Sequence, residues 1–135
     1  MRTVSVTRRV GSPPAAVLDA LDPMTIVDAE GTFDPLDRRE SGETVSVVAT
    51  GGGMEVIFDF HAREDGYAYE QRGEAGPFET METTLTVSPE DEGASITMES
   101  TVSLGLPVAR LFDRIAAWKR RGELKRALAA IDDAV

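Results

Sequence analysis

Residues 106–135 constrain the fold of this chain more than any other stretch. After Leu106-Pro107 the chain runs for 28 residues without another proline, and proline suits the first position of a helix. Apolar residues then recur at helical spacing in two sets, Val108, Leu111, Phe112 and Ile115, followed by Leu124, Leu128, Ile131 and Val135. Most of the preceding segments alternate like strands. The sequence therefore predicts an α+β domain in which one long C-terminal helix packs against a sheet.

The segments before this helix predict two short helices and about six to seven strands. Val17, Leu18 and Leu21 indicate the first short helix, and residues 23–27 a second one capped by Asp22. The clearest alternating segments are 3–10, 43–50, 54–62, 67–72, 81–87 and 94–104. A polar segment over 31–39 is a weak strand, which Pro35 limits to a sheet edge.

The glycine run Gly51-Gly52-Gly53 has two interpretations. A phosphate-binding loop leads from a strand into a helix. Here the next segment alternates as a strand, so the run is better interpreted as a hairpin turn.

Composition favours one acidic domain spanning residues 1–135. Asp and Glu number 24 against 14 Lys and Arg, a net charge of −10, which argues against nucleic-acid binding. Only Lys119 and Lys125 are lysines, and this acidic, lysine-poor composition resembles that of proteins from halophiles. The absence of cysteine excludes disulfides and thiolate sites. With no signal-like or membrane-spanning apolar run, we expect a cytoplasmic protein without integral membrane association.

A halophilic origin predicts that salt stabilises the fold. Repulsion among 24 carboxylates is poorly screened at low ionic strength. We expect the Tm, followed by circular dichroism, to rise steeply between ~0.1 M and ~2 M KCl, over which the Debye length shrinks to a few ångström. A flat Tm across that range would contradict the halophile interpretation.

Catalytic and metal-binding candidates are few. His61 is the only histidine, and the alternation of its strand places it opposite Phe58 and Phe60, on the solvent side. The sequence therefore supports no metal site, and no cofactor is indicated. Glu79 shares parity with Met81 and so could point inward as an acid or base. The sequence indicates no nucleophile–base–acid arrangement.

The long helix carries an unusual density of positive charge. Residues 110–126 contain seven basic residues against Asp113 and Glu123, a net charge of +5. One helical stripe collects Arg110, Arg114, Arg121 and Lys125. This stripe is either a basic surface balanced by the acidic sheet, or a dock for an anionic ligand group, an acidic partner or an anionic membrane surface.

Several local motifs, in this order, carry a family resemblance. The first strand leads into Gly11-Ser12-Pro13-Pro14, Gly76-Pro77-Phe78 precedes a long strand, residues 92–97 form a turn with Ala94 in place of threonine, and Leu106-Pro107 opens the long helix. Together they resemble the START-like (SRPBCC) superfamily, which includes polyketide cyclases/dehydrases and lipid binders. One departure is that the family often has tryptophan after the second short helix, whereas the only one here is Trp118.

The resemblance implies a helix-grip fold, with a curved antiparallel sheet wrapped around the last helix and an apolar cavity between them. Alternation offers lining candidates, which could equally fill a core: Phe58, Phe60, Tyr69, Met81, Thr83, Met98, Leu111, Phe112 and Ile115. The implied function is binding of an apolar or amphipathic small molecule, lipid-like, polyketide-like or quinone-like. The alternatives are a cyclase/dehydrase-type enzyme using Glu79, Tyr69 and Thr83, or an interaction protein with a filled core. The ligand and the oligomeric state stay open.

The two apolar stripes of the long helix lie on opposite faces, with Gly122 at the changeover. One straight helix cannot bury both stripes against one sheet, and an interior glycine costs about 1 kcal/mol relative to alanine. We therefore expect a bend, break or unwinding between Trp118 and Glu123. The alternative is a straight helix whose second stripe is covered by the short helices or a second subunit.

Overall fold

The computed structural model describes residues 2–73, 80–103 and 109–135, with the backbone alone for 109–112. Within these ranges, seven strands and three helices follow one another. The strands are β1 (Arg2–Val10), β2 (Asp34–Ser41), β3 (Thr44–Gly51), β4 (Met54–Arg63), β5 (Gly66–Gln71), β6 (Thr80–Glu90) and β7 (Gly93–Ser103). The helices are α1 (Pro14–Ala20), α2 (Pro23–Glu30) and α3 (Ala109–Ala134).

All seven strands form one antiparallel sheet in the order β1-β7-β6-β5-β4-β3-β2. The polar strand β2 lies at one edge, as Pro35 predicts, and its pairing with β3 shifts between Pro35 and Asp37. Leu36 lies within this bulge, where it is 61% exposed. The predicted architecture, an antiparallel sheet with a long C-terminal helix and two short helices after β1, is confirmed.

The glycine run is a hairpin turn, because β3 and β4 pair directly on either side of it. Gly52 and Gly53 have φ values of 57° and 78°, and the tight primed turns that join strands require positive φ. The phosphate-loop interpretation is therefore wrong.

Both short helices lie where the sequence predicts them. Pro13, without a side-chain bond, is the N-terminal cap of α1. The Asp22 carboxylate accepts a bond from Met24 N at 3.0 Å and caps α2. α2 is longer than predicted, because it continues to Glu30 and ends at Gly31, whose φ is 81°. This extra turn places Glu30 in the interior.

Helix α3 lies against β1, β7 and α2. Its second apolar stripe is buried as predicted, with Leu124, Leu128 and Ile131 at most 4% exposed. The break or unwinding predicted between Trp118 and Glu123 is wrong, because the helix runs unbroken through Gly122. The free energy gained by packing a helix of 26 residues outweighs the free-energy cost of one interior glycine. No helix among the residues that the structure describes is long and apolar enough to cross a membrane.

Ile115 and Trp118, in the first half of α3, do not face the sheet. Ile115 is 57% exposed and Trp118 is 78% exposed. The sheet-facing positions of this half carry Ala116 and Ala117, whose small side chains allow close approach to the sheet. Hydrophobicity alone therefore assigns the wrong face to Ile115 and Trp118.

Candidate functional site

The centre of the interface between α3 and the sheet contains a buried arginine, Arg120. It is 1% exposed and lies one turn before Leu124, within the stripe that faces the sheet. An arginine at such a position requires partners for its charge and its five N–H groups.

The charge of Arg120 is paired by two buried carboxylates. Its guanidinium forms a bidentate pair with Glu30, with Nη1–Oε2 and Nη2–Oε1 distances of 2.7 and 2.9 Å. Nη1 also donates to Glu123 Oε1 at 3.3 Å. Glu30 comes from the last residue of α2 and Glu123 from α3 itself, so this cluster joins the two helices under the sheet.

The sheet contributes a row of three hydroxyl groups. Tyr69 on β5 pairs with Thr83 on β6, which pairs with Ser100 on β7, so the three side chains lie side by side. Arg120 donates from Nη2 to Thr83 Oγ1 at 2.8 Å and from Nε to Ser100 Oγ at 3.0 Å. It also contacts the Tyr69 hydroxyl at 3.3 Å. We refer to Glu30, Tyr69, Thr83, Ser100, Arg120 and Glu123 as the polar cluster.

Each carboxylate of the polar cluster also accepts a hydroxyl hydrogen bond. The Tyr69 hydroxyl donates to Glu30, and Thr32 donates to Glu123. Charge-assisted hydrogen bonds of this kind are about twice as strong as neutral ones. The cluster thus holds two carboxylates around one guanidinium, and hydroxyl donors stabilise the excess negative charge by hydrogen bonding.

The environment shifts the pKa values of Tyr69 and Arg120. Burial raises the pKa of the Tyr69 hydroxyl well above its ordinary value, and the adjacent Glu30 carboxylate raises it further. Burial on its own lowers the pKa of Arg120, but Glu30 and its other partners outweigh burial and leave that pKa raised. Tyr69 therefore stays protonated and Arg120 stays charged at all ordinary pH values.

All six strand residues predicted to line the site face the interior. The residues at most 4% exposed on this side of the sheet are Phe58, Phe60, Tyr69, Met81, Thr83 and Met98. The Phe60 ring stacks on the Tyr69 ring with centroids 4.3 Å apart. The Met81 sulfur accepts from Thr83 at 3.0 Å, so the apolar residues directly border the polar cluster.

Among the α3 residues predicted to line the site, the structure describes only the side chain of Ile115. Ile115 lies on the solvent side of α3, so the expectation that it faces the sheet is wrong. The side chains of Leu111 and Phe112 lie outside the described residues, and so does Glu79. Motifs at 76–78 and 106–107 lie there as well.

The sequence reasoning missed Glu30, Ser100, Arg120 and Glu123. The signal for Arg120 was its spacing from Leu124 and Leu128, which puts it on the buried stripe. Because Arg120 was grouped with the other basic residues of 110–126, its place on the buried stripe was overlooked. The signal for Glu30 was Gly31, because glycine commonly ends a helix and would extend α2 by one turn beyond Val27.

His61 lies on the opposite, outer side of the sheet. Its Nε2 is 3.1 Å from Glu70 Oε1, and its side chain is 45% exposed. Within the described part of the chain, no group of three or more His, Cys, Asp or Glu residues is arranged to hold a metal ion.

Comparison with known proteins identifies solved structures of the same architecture. No family model and no curated sequence matches the chain. Solved structures do match. The crystal structure of TTHA0849 from Thermus thermophilus has a TM-score of 0.77 at 18% identity, over 98% of this chain and 96% of that one.

Two further solved structures of known kind are similar to this chain. A START superfamily protein from Mycobacterium smegmatis has a TM-score of 0.71 at 13% identity, over 97% of this chain and 94% of that one. The di-domain ARO/CYC BexL from the BE-7585A biosynthetic pathway has a TM-score of 0.70 at 17% identity, over 98% of this chain and 49% of that one. At such identities the similarity shows the fold alone, which is the START-like helix-grip fold.

Proposed function

We propose that this protein binds a small amphipathic molecule between the sheet and α3. The observation that carries the proposal is the convergence of a hydroxyl row and apolar side chains on the same inner surface. Phe58, Phe60 and Met98 supply apolar walls, while Tyr69 and Thr83 supply polar groups beside them. Binding sites for small molecules commonly combine mostly apolar walls with a few fixed polar groups.

Arg120 acts in this proposal as a positioning residue rather than a ligand contact. Its N–H groups already have acceptors on Glu30, Glu123, Thr83 and Ser100. It therefore fixes the hydroxyl row, and the Tyr69 oxygen, which donates to Glu30 and accepts from Arg120, keeps a lone pair for a ligand. Met81 and Met98 border that row, and their unbranched side chains can adapt to a ligand's shape.

An enzyme of the cyclase/dehydrase type is the second candidate, favoured by one specific observation. Tyr69 keeps its proton because its pKa is raised, and it lies between a carboxylate and a guanidinium. In this candidate mechanism the Tyr69 O–H turns from Glu30 to a ligand carbonyl and promotes proton transfer on the adjacent carbon. The other acid predicted for this role, Glu79, lies outside the described residues.

The interior site predicts that a bulky side chain at Met98 prevents uptake of an apolar ligand. Met98 is fully buried on β7, next to Leu85 on β6. We expect Met98→Trp to abolish binding of a neutral apolar fluorophore such as Nile red, measured by fluorescence titration, since the indole would occupy the ligand's space. Overpacking also costs about 1–3 kcal/mol, so the variant's fold is checked by circular dichroism.

The matched control is Met54→Trp, at an exposed methionine of the β3–β4 hairpin. It adds the same indole but leaves the interior unchanged, so we expect dye binding as in the parent protein. Dye binding unchanged by Met98→Trp in a folded variant would contradict an interior site.

A further inference from the structure

The solvent-facing side of α3 between residues 114 and 126 carries only cationic and apolar side chains. The apolar ones are Trp118, 78% exposed, and Ile115, 57% exposed. The cations are Arg114, Lys119, Arg121, Lys125 and Arg126. The one carboxylate within this range, Glu123, points inward. We refer to these seven side chains, together with Gly122, as the basic face.

The basic face has an ordered layout. At about 100° per residue, Ile115, Trp118 and Gly122 follow one line along the helix. Arg114, Arg121 and Lys125 lie on one side of that line, and Lys119 and Arg126 on the other. Because Gly122 has no side chain, an open groove of about 370 Å³ remains there, bordered by Trp118 and by Lys119, Arg121, Lys125 and Arg126.

Among the residues that the structure describes, no carboxylate pairs with a cation of the basic face. Among the ion pairs that join the described side chains, none involves these five residues. Arg121 and Arg126 donate only to backbone carbonyl groups, of Ser5 and Glu30. Elsewhere in the same chain, Arg8 and Arg9 each pair with a carboxylate. Five exposed cations that pair with no described carboxylate, in a chain of net charge −10, leave this face available to an anionic partner.

We propose that the basic face docks α3 flat on a lipid surface that carries anionic phosphate headgroups. A central apolar line with cations on both sides is the arrangement of a helix that lies in the plane of a membrane interface. Tryptophan favours the headgroup level, and each cation near an anionic surface contributes about 1 kcal/mol. A symmetric dimer through the same face would instead bring five cations against five cations.

Trp118 reports directly on this proposal, because it is the only tryptophan in the chain. Its emission is recorded at ~0.1 M KCl, where the Debye length is about 10 Å, with and without excess vesicles. We expect a blue shift with vesicles of phosphatidylcholine and phosphatidylglycerol, little change with phosphatidylcholine alone, and loss of the shift at ~1 M KCl. Circular dichroism confirms that the protein is folded in each buffer.

Paired variants separate the basic face from net charge. K119E/K125E removes two cations beside Trp118, and we expect the affinity for anionic vesicles in co-sedimentation to fall at least about tenfold. R39E/R63E makes the same change in charge at exposed arginines of β2 and β4, and we expect parental binding. A fall of equal size in both variants would overturn the proposal.

Three other outcomes would also overturn it. The first is an unchanged Trp118 emission with anionic vesicles. The second is a blue shift with polyglutamate but not with vesicles, which would identify an acidic chain as the partner. The third is a concentration-dependent shift without vesicles that coincides with oligomers in size-exclusion chromatography. The inference does not depend on an interior ligand, since none of these measurements requires one.

Discussion

Replacing Arg120 by methionine lowers the free energy of unfolding by about 3–5 kcal/mol, the range expected when one partner of a buried ion pair is removed. The substitution keeps the volume of an unbranched side chain but leaves Glu30 and Glu123 without their counter-charge. It also removes the bond that Thr83 and Ser100 each accept from the guanidinium. Urea denaturation followed by circular dichroism measures the loss.

Two controls separate the ion pair from the loss of an arginine as such. Arg121→Met changes the next residue, which is exposed and makes only a long bond to Ser5 O, and should alter stability by no more than about 0.5 kcal/mol. Adding Glu30→Gln and Glu123→Gln to Arg120→Met removes the unpaired charges and should recover part of the loss. Equal stability of Arg120→Met and the parent protein would contradict a buried polar cluster.

Replacing Gly66 by alanine is expected to cost about 3 kcal/mol or more. Gly66 begins β5 with φ at 154°, a region that residues with side chains rarely adopt. A Cβ at this position would lie 1.8 Å from the carbonyl oxygen of Leu85, which is backbone of the paired strand and cannot rotate away. The β5–β6 pairing would have to shift, and with it the row that contains Tyr69 and Thr83.

Gly11→Ala is the matched control for this substitution. No atom lies within 4 Å of the Cβ that it would add, so we expect no loss of stability. Thermal unfolding of both variants at the same salt concentration makes the comparison. A Tm for Gly66→Ala indistinguishable from that of the control would mean that β5 and β6 are not paired as described.

The fold could be predicted because its signals are local and repeated along the chain. Alternation in β4, β6 and β7 marks the inner side of the sheet, and Phe58, Met81 and Met98 are all buried there. The turn at Gly52-Gly53 and the cap at Asp22 follow from residue chemistry alone.

The polar cluster could not be predicted because its members come from distant parts of the sequence. Glu30 and Arg120 are 90 residues apart, and each resembles the many charged residues of an acidic surface. Only the packing of α2 and α3 brings them together, and pairing then makes their burial tolerable.

The exposure of Ile115 and Trp118 could not be predicted for a different reason. Large apolar residues are normally evidence for a buried face, but here Ala116 and Arg120 occupy the side toward the sheet. An exposed tryptophan surrounded by cations is better explained by a partner outside the chain.

Native mass spectrometry of the protein purified from its own host tests the central claim most directly. The account predicts a population whose mass exceeds that of the polypeptide by one small molecule, which organic solvent extracts and denaturation releases. Met98→Trp, purified in the same way and shown to be folded, should carry none. The bare polypeptide mass alone for the parent protein, together with no uptake of Nile red, would contradict a ligand site between the sheet and α3.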